Sequence, residues 1–141
     1  MIRRRAARSG VALTLACAAL LMLASCDSGW GALARECERP DPASDLSVLP
    51  DGISLGEFGT VVRAAERRGF VSARAIATDG VEGLYSPMTK LLRRGGYEIV
   101  GEDNEGFEAE IYFTRGPDTG SILLRQGNCG AATNIILTFG H

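Results

Sequence analysis

The chain has 141 residues, with 15 basic and 17 acidic side chains, a formal charge of −2 and 45% hydrophobic residues. A near-neutral balance argues against a nucleic-acid groove, which needs Lys and Arg gathered on one face. The single histidine, His141, gives no basis for a multi-histidine metal centre, and a triad built on it would hang from a fraying end.

Arg3, Arg4, Arg5 and Arg8 make a positive start, and residues 10–24 then carry no charge. That apolar run is 15 residues long, whereas a membrane-spanning helix needs roughly 20. It reads as the apolar region of an export signal. The run closes in Leu23-Ala24-Ser25-Cys26, which resembles the lipobox of bacterial lipoproteins. The resemblance implies a signal peptide over residues 1–25, a diacylglycerol on the Cys26 sulfur, and cleavage just before it. The product would be lipid-anchored at the outer face of the cytoplasmic membrane. Buried acyl chains contribute about 0.8 kcal/mol per methylene, enough for stable attachment. An uncleaved short anchor, or a plain secretory signal, is the alternative reading of the same residues. Cleavage would leave 11 basic against 17 acidic residues, a charge near −6, and no nucleic-acid partner is expected. Asp27 resembles the retention signal of inner-membrane lipoproteins.

Of four cysteines, Cys17 would leave with the signal and Cys26 would carry lipid. Cys37 and Cys129 remain, and two thiols in an oxidising compartment read as a disulfide. The pair would close a loop of 93 residues, stabilising by roughly 4 to 5 kcal/mol in the chain-entropy model. Two independent buried thiols are the alternative; a zinc site lacks the histidines to complete it. Residues 26–50 mix Gly, Pro, Ser and charge without a hydrophobic period and read as a tether. Trp30 lies in it, either at the membrane interface or as a linker residue.

The folded domain is expected over residues 51–141. Residues 54–69 are ambiguous. Ser54 and Glu57 have capping-box spacing and Phe58, Val61, Val62 and Ala65 share a helical face. Yet Gly56 and Gly59 weaken that turn, and residues 60–78 read equally as a β-hairpin. Residues 79–96 place Leu84, Met88, Leu91 and Leu92 at helical spacing, with Arg93 and Arg94 at the end where cations suit the helix dipole. Pro87 allows two readings: Ser86 caps a short helix with Pro87 at its first position, or a longer helix begins near Val81. Strands follow at residues 97–103, at 107–114 with Phe107, Ala109, Ile111 and Phe113 turned inward, at 121–126, and at 133–139.

Helix, then Gly-Tyr-Glu-Ile-Val, then further antiparallel strands, with Leu49-Pro50 and a hairpin ahead, resembles small extracytoplasmic lipoproteins of high-GC bacteria. The resemblance favours the hairpin over the helix and carries no known activity. The expected fold is α+β: an antiparallel sheet of five to six strands in the order ββαββββ, with one main helix packed on one face.

Candidate chemistry is sparse. Ser86 and Lys90 lie one helical turn apart, but Ser-x-x-Lys spacing fails because Thr89 occupies the third position. Carboxylates from Glu102 to Glu110 lack the periodicity of a calcium loop. Glu108 and Glu110, two apart in a strand, share a face and are the acids a small hydrolase would use. Asp79 and Asp118 sit in turns, where aspartate serves the backbone. No cofactor or metal site is expected. The reading is a non-enzymatic, membrane-anchored module with a protein partner or ligand in the cell envelope, and the alternative is a carboxylate-dependent hydrolase.

Overall fold

A computed structural model describes residues 41–128 and 132–140. Residues 1–25, Cys26, Trp30, Cys37, Cys129 and His141 lie outside the described residues. A 3-10 turn at Leu55–Glu57 precedes strands β1 (Thr60–Arg67) and β2 (Phe70–Ala77), helix α1 (Val81–Arg94), and strands β3 (Glu98–Asn104), β4 (Glu108–Arg115), β5 (Asp118–Gln126) and β6 (Thr133–Gly140). The strands form one antiparallel sheet with spatial order β1-β2-β6-β5-β4-β3. The fold is therefore α+β, with the expected ββαββββ order and one helix on one face.

The ambiguous segment is a hairpin. Its capping-box pair starts only the 3-10 turn, in which Ser54 makes no side-chain cap bond. β1 pairs with β2 along its length, and Val61, Val71, Ala73, Ala75 and Ala77 are buried on the shared face. The loop is Arg68 and Gly69 alone, at φ of 55° and 80°, the two positive values that a type I′ turn requires. Glycine accepts that geometry freely, while an arginine there carries about 1 to 2 kcal/mol of steric cost. Arg68→Asn is accordingly expected to raise stability by about 1 kcal/mol, read as a higher urea midpoint at unchanged slope.

Helix α1 takes the longer of the two forms, running from Val81 through Pro87 to Arg94. Ser86 is inside it and exposed, so it is not the cap; Gly80 holds that position without a side-chain bond. Interrupting a helix with proline costs about 3 kcal/mol. Burial of Val81, Leu84, Met88, Leu91 and Leu92 on one stripe returns roughly 1.5 to 3 kcal/mol per side chain, so packing outweighs the interruption. Thr89 donates its hydroxyl to the Tyr85 carbonyl at 3.0 Å, and Thr133, fully buried, donates to the Asp79 carbonyl at 2.7 Å.

The covered face carries Ala109, Ile111, Phe113, Ile122, Leu124, Ile135 and Leu137, all buried. Helix α1 lies over β3, β4 and β5. Ile53 and Leu55 are buried in the same core, and Ala43 and Leu49, from the segment read as tether, pack against it. Phe107 departs from expectation: it is 58% exposed, because it lies in the turn before β4, ahead of the alternation that would have turned it inward. Val100 keeps the outward place that alternation with Ile99 gives it, and a register shift between Ile99 and Gly101 then breaks the alternation of β3. Glu102 then falls on the covered side and accepts the Tyr85 hydroxyl at 2.6 Å.

Three rings meet where the helix ends. Tyr97 stands edge-on to Phe113 at 5.1 Å and to Phe139 at 6.0 Å, while Phe113 and Phe139 stack at 6.2 Å. The Tyr97 hydroxyl donates to the Asp51 carbonyl at 2.9 Å. Arg115 lies over the Tyr97 ring, 4.4 Å from its centre, and donates to the carbonyls of Asp51 and Gly95. One cluster thus holds the residue 51 loop, the helix end and β4 together.

Candidate functional site

Because α1 and the residues before β1 cover a single face, the other face of the sheet is open. Register places Arg63 and Arg67 of β1, Arg74 of β2, Ile136 and Thr138 of β6, and Ser121, Leu123 and Arg125 of β5 on it. Glu108, Glu110 and Tyr112 of β4 and Asp103 of β3 complete the opposite side. Basic residues therefore gather at the β1–β2 side and acidic ones at the β3–β4 side, with hydroxyl and aliphatic groups, Asn134 and the Glu108-paired Arg125 between.

At one end of this face lies a cleft of about 320 Å³. Its floor is small or hydroxylic, made by Thr119, Gly120, Ser121, Thr138 and Gly140, and its walls are Phe70 on one side and Val100 and Tyr112 on the other. Those three wall residues are 56, 58 and 44% exposed, and large apolar groups gathered around one cleft mark an interaction site where single ones would not. The floor is flat because glycine and small polar residues occur together on β5 and β6.

The carboxylates are engaged. Glu108 accepts from Arg125 Nε, and Glu110 accepts the Tyr112 hydroxyl. With Asp103 and Glu105 they line a separate shallow depression of about 130 Å³. Glu108 and Glu110 do share a face, as the spacing predicts, but each is tied to a neighbour rather than to the other. Arg74 donates to Asn134 Oδ1 from Nε at 3.0 Å and from Nη2 at 2.7 Å. Ser86 and Lys90 lie on the exposed side of α1, away from this face. Asp118 opens β5, and Asp79 contributes its carbonyl to Thr133. Among the described residues, no group of three or more His, Cys, Asp or Glu side chains is arranged to hold a metal ion, and no helix is long and apolar enough to cross a membrane.

All three tyrosines of the chain ionise late. The bond to Glu102 pushes Tyr85 up to about 12 from an ordinary value of 10.0. Burial raises Tyr97, and the bond to Glu110 raises Tyr112. A phenol held neutral by the fold contributes stability that is full below its unfolded pKa and lost as pH rises through the folded one. Stability should therefore fall from about pH 10 to pH 12. Tyrosinate absorbance of the native protein should rise at higher pH than that of the urea-unfolded chain; coincident curves would contradict these contacts.

The fold and this face define a two-layer α+β domain with one sheet face left open. Comparison with protein-family models and with curated proteins finds no match. The cleft was not legible in the sequence. Val100 faces outward by alternation with Ile99, but Phe70 and Tyr112 lie on strands separated by β6 and β5.

Proposed function

We propose that this chain is a membrane-anchored extracytoplasmic lipoprotein whose domain is a non-enzymatic binding module, and that its binding surface is the open face of the sheet. The observation that carries the reading is the cleft, where Phe70, Val100 and Tyr112 stand exposed around a hydroxyl-lined floor. Aromatic walls contribute apolar contact area, and floor hydroxyls supply orienting hydrogen bonds. The engagement of Glu108 by Arg125 and of Glu110 by Tyr112 favours binding over carboxylate catalysis. The anchor rests on the lipobox resemblance at Cys26, and the Cys37–Cys129 disulfide on the cysteine count.

Two measurements in the native host test this. Wild-type protein should sediment with membranes, with the mass of residues 26–141 plus a diacylglyceryl group and two hydrogens fewer, and Cys26→Ser should abolish lipidation. A photo-crosslinking residue at position 70 or 112 should capture a partner, whereas one at Lys90 on the helix should not. Capture only from position 90, or turnover of an envelope substrate that Glu108→Ala and Glu110→Ala abolish, would defeat the binding reading.

A further inference from the structure

We infer that the partner of the open face is a second copy of this chain, docked sheet to sheet about a two-fold axis parallel to the strands. The inference rests on the reading of that face as the binding surface, and the charge order across the sheet supports it. Through the strand registers one row of outward side chains runs Arg63, Arg74, Ile136, Leu123, Glu110, Asp103 across β1, β2, β6, β5, β4 and β3. Two cations, two aliphatic groups and two anions follow in sequence, and the row is complementary to its own reverse.

Packed sheets keep their strands within about 30° of each other. A two-fold axis along the strands, between β6 and β5, turns the second copy so that its β3 faces β1, its β4 faces β2 and its β5 faces β6. Arg63 then meets the second copy's Asp103, Arg74 meets its Glu110, and Ile136 meets its Leu123, each contact occurring twice. The row at the cleft end obeys the same rule, since it starts with Arg67 on β1 and ends with Glu98 on β3. Between these rows, bulky Tyr112 falls opposite Ser72. An in-plane axis across the strands would instead stack β1 on β1 and oppose like charges, which costs affinity steeply. Charge order therefore selects one of the two simple symmetric arrangements. It also sets orientation, because such pairs give specificity more than raw affinity.

The size of the face fits a standard interface, and tethering adds to it. Six strands about 4.8 Å apart, each about eight residues long at roughly 3.4 Å per residue, present a face of roughly 800 Å². A standard interface buries about 800 Å² on each partner. Confinement of both copies to one membrane plane raises their effective concentration without any new contact.

The test is a charge exchange in the full chain, with two differently tagged copies co-expressed in the native host. Wild-type copies should capture one another. R63E/R74E alone, and D103R/E110R alone, should each lower self-capture about a hundredfold. Mixing the two variants should restore capture, because every facing pair is then opposite in sign. All four side chains lie on the open face, and circular dichroism checks that each variant is folded. Should a variant not fold, salt decides with wild-type protein in mild detergent: the dimer should weaken as ionic strength rises. Wild-type copies that do not capture one another, self-capture unmoved by the reversals, or a dimer indifferent to salt would overturn the inference. Photo-crosslinks from positions 70 and 112 to a different protein, without self-capture, would overturn it while leaving the binding reading intact.

Discussion

Alanine in place of Tyr97 is expected to lower the unfolding free energy by about 3 to 5 kcal/mol, the range for truncating a buried aromatic ring. Tyr97 is 3% exposed and stands edge-on to both Phe113 and Phe139. Its loss opens a cavity between sheet and helix end, removes the platform beneath Arg115, and frees the Asp51 carbonyl from one of its donors. Tyr97→Phe separates the ring from the hydroxyl and should cost about 1 kcal/mol, because Arg115 still donates to Asp51. Urea unfolding of the pair measures the split. Equal costs for the two variants would place the hydroxyl, not the ring, at the centre of this cluster.

Gly120→Val is expected to cost about 3 kcal/mol, at the upper end of overpacking effects. A Cβ at position 120 would lie 2.5 Å from Phe113 Cζ and 2.9 Å from the Thr138 carbonyl oxygen. Neither neighbour can yield: one is a fully buried ring and the other is backbone of the adjoining strand. The missing side chain is what gives Phe113 its place. Phe113→Leu should therefore recover part of the loss when combined with Gly120→Val, although alone it destabilises. Strict additivity in that double variant would show that the two positions do not share this space.

Element type was largely legible because it depends on local periodicity. The stripe of Leu84, Met88, Leu91 and Leu92 specified α1, and alternation specified β4 through Ala109, Ile111 and Phe113. Residues 54–69 carried two periodicities at once, and pairing with β2 decided between them, which is a tertiary fact. Pro87 pointed to a break that the buried stripe overrode. Phe107 and Glu102 were obscured for a related reason: a turn and a register shift interrupt alternation without leaving a mark in composition. Neither the cleft nor the charge row was legible, since each joins residues tens of positions apart. Arg63 and Asp103 acquire a common line only when β6 is inserted between β2 and β5.

That insertion also bears on how the chain reaches its native state. The β1–β2 hairpin and the β3-to-β6 meander are each built from sequence neighbours, but they join along a single seam, in which Phe70 pairs with Gly140 and Ala77 with Thr133. A nascent chain emerging at about 5 to 20 residues per second leaves the hairpin waiting roughly 3 to 11 s for β6. Until then both β2 and β5 present raw hydrogen-bonding edges, the kind that recruit other chains. Trimming of residues 133–140 by a protease would not shorten the sheet at its margin; it would divide it into two pieces at the middle. Strand β6 makes the open face continuous, since without it the β1–β2 hairpin and the β3–β5 strands have no shared surface to present.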